Sequence, residues 1–237
     1  MEYEKLVKQV GNGWAELLAP FMVESSDGSA IEYGKIATFM KEQKDNQVEF
    51  FPEGKNVYKC FLATPLESVR VVLLGQDPYP KKGFSNGLAF ATDNAQLPVS
   101  LTTMFDGIEA DAHNGLDFEK PERNGDLIRW AKQGVLLLNS SLTVEANKPG
   151  SHMEIWKPFT KFVVEALTSV KRDLIWIGLG AEAKKFTDLV NPFRNFVYLA
   201  EHPAAAARAK RVWNHNNVFT KTNMAIKLNN LGDPIKW

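Results

Sequence analysis

A carboxylate, an amide and a phenol stand together in Gln76-Asp77-Pro78-Tyr79, directly after the apolar run Val71-Val72-Leu73-Leu74 and Gly75. The run, half of it β-branched, reads as a buried strand that Gly75 ends. Proline fixes the loop backbone, so the Asp77 carboxylate is a site candidate rather than part of a solvated loop. A second apolar run, Val135–Leu138, ends on Asn139, and a third, Phe196–Ala200, leads into Glu201-His202-Pro203. Carboxylates, imidazoles and phenols held at fixed positions are the groups of acid–base and electrostatic catalysis. Of the four histidines, His202 alone lies between a strand end and a proline turn. His113 and His215 sit in polar loops and are expected to face solvent, and His152 is expected to be structural.

Four segments are expected to form the scaffold beneath these groups: Val69–Leu74, Val135–Asn139, Asp173–Ile177 and Phe196–Ala200. Each gap between them is long enough for a crossover helix, which predicts parallel strands. Helical stretches are read at Leu6–Met22, Ala30–Lys44, Gly125–Gln133 and Glu154–Leu167, with a loop over Ser25–Ser29 and a Gly178-Leu179-Gly180 turn after the third strand. Ser151-His152-Met153-Glu154 fits a capping box. Pro158 falls within the first two turns, so a start nearer to it is the alternative. The fold class that follows is three-layer α/β/α, with a central four-stranded parallel twisted sheet flanked by helices, in one domain over residues 1–237. In parallel α/β sheets, ligands bind beyond the carboxyl ends of the strands. Gln76, Asp77, Tyr79, Asn139 and His202 are all expected at that one edge.

Composition narrows the chemistry. Lysine plus arginine and aspartate plus glutamate are equal at 28 each, so no global field steers the chain to nucleic acid. A local basic group, Arg208, Lys210 and Arg211, could still serve. Cys60 is the only cysteine, which excludes an internal disulfide, a thiolate zinc site and a cysteine-ligated cluster. No HxxxH or HExxH motif is present, and neither is a P-loop nor a GxGxxG, which disfavours an unrelated nucleotide-binding protein. No metal and no cofactor are expected. Nothing resembles a signal peptide or an 18-residue apolar span, so a cytoplasmic protein without a membrane partner is expected.

Several blocks, in order, resemble family 1 uracil-DNA glycosylases. They are Gly75-Gln76-Asp77-Pro78-Tyr79, Asn86-Gly87-Leu88-Ala89-Phe90, Gly125-Asp126-Leu127, Trp130 to Asn139, Leu142-Thr143-Val144, Ser151-His152 with Trp156, and His202-Pro203. The resemblance runs from about Val48 to Asn223; residues 1–45, read as helical, lie outside it. It implies a monofunctional glycosylase that hydrolyses the bond between uracil and deoxyribose, leaves an abasic site and starts base excision repair.

The resemblance also implies roles. A base inside a duplex must be extruded before its bond is cut. Phe90 would stack on the uracil, and Asn139 would accept from N3–H and donate to O4, a pattern cytosine reverses. Tyr79 would collide with the methyl group of thymine. His202, neutral and donating from one nitrogen, would stabilise the departing anion at O2. Asp77 would stabilise the sugar cation and orient water, with Gln76 beside it in the substrate loop. Structural readings stay open: Phe90 as a core aromatic, Asn139 as a turn cap, Tyr79 packed on the sheet edge. The implied partners are uracil-containing DNA, single- or double-stranded, and a uracil-glycosylase inhibitor protein, with the chain a monomer.

Three departures touch the DNA contacts. Pro80 stands where most members carry a histidine, and Lys81 and Lys82 are expected to replace its phosphate contact. The family's His-Pro-Ser-Pro-Leu-Ser is here His202-Pro203-Ala204-Ala205-Ala206-Ala207, similar to poxvirus glycosylases. Ala206, at the wedge position, is too small to part a base step, and Arg208 could insert instead; alternatively the alanines simply open a helix. The usual Gly-Ser after the third strand reads Gly178-Leu179, leaving Gly178 as a backbone contact, while Ser100 matches the serine that closes the proline-rich loop. Two further readings are an accessory DNA-binding protein, such as a polymerase processivity partner, and a glycosylase with another base preference, such as hypoxanthine.

Overall fold

The computed structural model describes residues 1–23, 31–113 and 122–237; the expected Ser25–Ser29 loop lies outside them. The elements in order are α1 (Tyr3–Val10), α2 (Asn12–Met22), α3 (Ile31–Asp45), β1 (Phe50–Phe51), α4 (Lys59–Ala63), β2 (Val71–Gly75), α5 (Val99–His113), α6 (Ile128–Ala131), β3 (Val135–Asn139), β4 (Val144–Glu145), α7 (Met153–Val170), β5 (Ile175–Leu179), α8 (Ala181–Thr187), β6 (Phe196–Ala200), α9 (Pro203–Arg208) and α10 (Val218–Leu228). Strands β3, β2, β5 and β6 form one parallel sheet in that order, flanked by helices, and β1 pairs with β4 in a separate antiparallel ladder. Every residue of β2, β3 and β5 is buried. This is why these strands read as unbroken apolar runs rather than alternating ones. No helix is long and apolar enough to cross a membrane among the described residues.

The structure corrects several boundaries. The helix expected over Leu6–Met22 is two helices, because Gly11 adopts φ +83°, a left-handed break that ends α1 and opens α2. The Gly125–Gln133 helix shrinks to Ile128–Ala131, preceded by Leu127 at φ +52°. No capping box forms at Ser151, whose hydroxyl instead accepts the Glu145 N–H at 2.9 Å. His152 takes the N-cap position, and α7 runs through Pro158. The third strand lies two residues later than expected, since Asp173 is left-handed at φ +57° and Gly178 and Leu179 belong to β5. The turn therefore begins at Gly180.

Beyond the sheet, hydrogen bonds continue the β2–β3 pairing. Gly75 pairs with Asn139 in register. The Ser140 N–H and hydroxyl both donate to Gly75 O, at 3.0 and 2.8 Å, and Ser141 N–H donates to Gln76 O at 2.9 Å. The loop that carries Asp77 is thereby tied to the strand that ends on Asn139.

Candidate active site

A cleft of about 540 Å³ opens at the carboxyl edge of the sheet, and Gln76, Asp77, Tyr79, Phe90, Asn139 and His202 all line it. Three strand ends and the segment after β2 supply these side chains. Pro80, Ser100 and Arg208 line it too.

Phe90 reaches the cleft through a constrained segment. Ala89 N–H donates to Leu137 O of β3 at 3.0 Å, and the buried Asn86 amide ties the segment to Asp93 at 2.8 Å. Phe90 itself sits at φ +64°, a region a bulky residue occupies only when its surroundings impose it. Its ring lies 5.6 Å from the His202 ring, tilted by 40°. Gly75 faces both Phe90 and Asn139: a β-carbon there would stand 2.6 Å from Asn139 Oδ1 and 3.0 Å from Phe90 Cε2.

Asp77 Oδ2 accepts the Gly150 N–H at 2.6 Å. Burial pushes its carboxyl above the usual carboxylate range, and hydrogen bonds from Gly150 and the Gln76 side chain oppose that rise. The Pro149-Gly150 turn, whose proline also lines the cleft, was not anticipated. Its only mark in the sequence is a proline–glycine turn pair.

His202 caps α9, its Nδ1 accepting the Ala204 N–H at 3.2 Å. A ring nitrogen that accepts carries no proton, so in the neutral ring the proton sits on Nε2. Burial, with the Arg208 charge adding to it, lowers the pKa of His202 to about 4 against the pull of Glu201. At neutral pH the site thus presents an uncharged imidazole with a single N–H donor.

The DNA-contact expectations fare unevenly. Arg208 is exposed at the cleft wall. Lys81, Lys82, Lys210 and Arg211 are exposed but do not line the cleft. Lys81 lies 4.7 Å over the Phe84 ring, Lys82 pairs with Glu49 at 3.1 Å, and Arg211 pairs with Glu201. Ala206 is fully buried, because α9 turns it inward; the alanine run opens a helix and offers no wedge. Gly178 is buried within β5, where a β-carbon would meet Leu199 at 2.9 Å, and it makes no surface for DNA. Ser100 is only 6 % exposed, and its hydroxyl lies 3.0 Å from Tyr79 Oη rather than facing outward.

His152 and His215 lie outside the cleft lining. His152 is buried, with Nδ1 2.9 Å from the Thr143 hydroxyl that also accepts the Trp156 indole N–H at 2.6 Å. Its pKa is lowered, mainly by burial. His215, expected in solvent, instead lies 3.2 Å from the buried Asp111 carboxylate beneath Trp213. His113 closes α5 rather than lying in a loop.

Residues 63–227 match the family described as the uracil DNA glycosylase superfamily. The chain is 35 % identical over 239 residues to a uracil-DNA glycosylase of Acinetobacter baumannii, covering 100 % of this chain and 96 % of that protein. It is 33 % identical over 207 residues to one of Christiangramia forsetii, covering 86 % and 90 %. Among solved structures, mimivirus uracil-DNA glycosylase superposes with a TM-score of 0.86 at 22 % identity, over 100 % of this chain and 89 % of that one. A variant of the mimivirus protein in complex with UGI gives 0.86 at 22 % identity, over 100 % and 91 %.

Proposed function

The chain belongs to the uracil DNA glycosylase superfamily and hydrolyses uracil from DNA, and we propose that the cleft at the sheet edge performs this reaction with its own named residues. The observation that carries the proposal is the meeting of Asp77, Asn139 and His202, from three separate strand ends, around one cleft that also contains Phe90 and Tyr79.

On this reading, an extruded uracil lies against the Phe90 ring, a contact worth about 1–3 kcal/mol. The Asn139 amide accepts from N3–H and donates to O4; cytosine would leave both groups facing like partners. Tyr79 closes the space where thymine carries its methyl. As the C1′–N1 bond breaks, its electron pair leaves with the uracil, and the neutral His202 donates from Nε2 to the charge gathering on O2. Neutrality suits this step, since the imidazole needs only to donate, and Nδ1 is already occupied by Ala204. The Asp77 carboxylate faces the cationic sugar and orients the water that bonds to C1′, taking up its proton. Gly150 fixes that carboxylate through Oδ2.

Arg208 on the cleft wall, with Lys81 and Lys82 outside it, is the group proposed to hold the phosphate backbone. Contact with a uracil-glycosylase inhibitor protein is also proposed at this cleft, supported by the mimivirus variant seen with UGI. On this reading the protein acts as a cytosolic monomer.

Incubation with a uracil-containing oligonucleotide, followed by alkali, should cut the strand at the uracil. Asp77→Asn should lower kcat by about 10²–10⁴-fold with little change in KM. Undiminished excision by this variant would remove Asp77 from the mechanism.

A further inference from the structure

We propose that the amino-terminal edge of the sheet, opposite the cleft, carries a docking site for a peptide segment in which carboxylates flank a large apolar side chain. The site consists of Phe193, Leu189 and Val170, with Arg172 and Arg194 beside them. Val170 ends α7 and Leu189 follows α8, two helices that pack on each other. All three apolar residues are exposed, Phe193 at 97 %. A lone apolar residue on a surface is ordinary, but a group of them on a rigid frame marks an interaction site. The frame here is tightly bonded. Phe193 N–H donates to Asn191 Oδ1 at 2.9 Å, and the Asn195 amide donates to Asn191 O at 3.2 Å. Asn195 Oδ1 accepts the Leu174 N–H at 3.3 Å, and Asp173 N–H donates to Arg194 O at 2.8 Å. These bonds hold the connection before β6 against the connection before β5, so the named residues share one edge. They fix the Phe193 backbone and leave its ring in solvent, where it adds nothing to the fold.

Charge selects the occupant. Arg172 and Arg194 are exposed and pair with no carboxylate among the described residues. Asp188 is engaged by Lys184 at 2.6 Å, which leaves Asp173 as the one acid in the segment against two guanidinium groups. Lys171 adds its charge, its ammonium held by the carbonyls of Leu66, Glu67 and Val69. A second copy docking about a two-fold axis would set this positive face against itself. One ring with two aliphatic neighbours also falls far short of the about 800 Å² per partner of a stable dimer. DNA in the cleft lies at the other end of β5, whose five residues span about 16 Å. An acidic segment instead meets both arginines while its apolar anchor covers Phe193. Docking there leaves the cleft open, so the partner would carry a working enzyme. This inference is independent of the chemistry assigned to the cleft.

Fluorescence anisotropy with a labelled peptide, two aspartates on each side of a central Phe-Leu pair, tests the site on the full chain. The wild type should bind it, and Phe193→Ser should weaken binding about tenfold or more. Arg172→Ala combined with Arg194→Ala should weaken it about three- to fivefold and flatten its salt dependence. Exchanging the peptide's aspartates for asparagines should have the same effect on the wild type. Excision of uracil by each variant should keep kcat/KM within about twofold of wild type, which also shows that the exposed substitutions leave the fold intact. No binding by the wild type at millimolar peptide, or equal binding by Phe193→Ser, would overturn the inference, and so would undiminished binding of the asparagine peptide. A dimer in sedimentation that Phe193→Ser dissolves would give the face to a second copy. Weaker binding of uracil-free DNA by Phe193→Ser would give it to nucleic acid. Either result overturns the acidic peptide as the occupant.

Discussion

A β-carbon placed on Gly75 would lie 2.6 Å from Oδ1 of Asn139, the residue it faces across the β2–β3 ladder. That is closer than any real packing contact, and the same atom would press on Phe90 at 3.0 Å. Gly75 is therefore the floor on which the Asn139 amide and the Phe90 ring rest. Gly75→Ala should displace both while leaving the sheet paired, because Ala fits a strand backbone. Displacement of reacting partners by about 1 Å costs on the order of 10²-fold in rate. Steady-state kinetics on a uracil oligonucleotide should show that loss in kcat/KM, with circular dichroism unchanged. Wild-type kinetics in this variant would mean the amide has room that the structure denies it.

The pH profile tests the states of His202 and Asp77 together. His202, lowered to about 4 from its ordinary 6.5, stays neutral across the range where a free imidazole would titrate. Excision should therefore show no inflection near 6.5, and its acid limb should follow protonation of Asp77, whose pKa burial raises, and of His202 near 4. For stability the sign is fixed by linkage. Between 6.5 and about 4 the unfolded chain binds a proton on this histidine that the native state refuses, so stability falls as pH drops through that window. Above 6.5 the contribution is constant. Urea unfolding of His202→Gln should show a shallower loss of stability between pH 6.5 and 4 than the wild type. Equal slopes would place the imidazole in solvent.

Which parts of this arrangement are legible in the sequence follows from how locally each is determined. The strands β2 and β3 stand out because burial on both faces demands unbroken apolar runs, while β6, only half-buried, stands out by its apolar composition alone; the residue after each run is then fixed at the sheet edge. Asp77, Asn139 and His202 could be placed on that ground alone. Gly11 did not announce its break, since amphipathic spacing continues on both sides of it, and Ser151 met the pattern of a cap while its hydroxyl was taken by Glu145 N–H. The Gly150 contact to Asp77 joins residues 73 apart and leaves no local trace. The direction of the Ser100 hydroxyl is likewise a matter of tertiary contact, and so is the inward face of Ala206, which α9 settles by turning it toward the core.

His215 and Asp111 supply a prediction away from the cleft. Asp111 is 1 % exposed; Oδ2 accepts the Thr220 N–H at 3.3 Å, and Oδ1 faces His215 Nδ1 at 3.2 Å. The two atoms approach without hydrogen-bond alignment, so His215 covers the buried carboxylate by contact, and removing the imidazole should cost about 1 kcal/mol. His215→Ala should lower the urea midpoint accordingly at neutral pH, with kcat at 25 °C within about twofold of wild type. Loss of less than about 0.5 kcal/mol would show that water satisfies the carboxylate.

Salt dependence separates the basic residues by what already occupies them. A protein that neutralises phosphates releases condensed counterions, and the slope of log affinity against log salt is about −0.9 per phosphate on duplex DNA. Arg208 is exposed on the cleft wall and is paired with no carboxylate among the described residues, so its full charge is available to a phosphate. Lys82 and Arg211 already face Glu49 and Glu201. Arg208→Ala should therefore reduce the magnitude of the slope by about 1, whereas Arg211→Ala should change it by less than half as much, because its charge is already balanced. Fluorescence anisotropy on a uracil-containing duplex across salt concentrations reads both. If Arg208→Ala leaves the slope untouched while Arg211→Ala flattens it, the phosphate backbone runs past the end of α9 instead of over the cleft wall, and the wedge sought at Arg208 must be looked for farther along that loop.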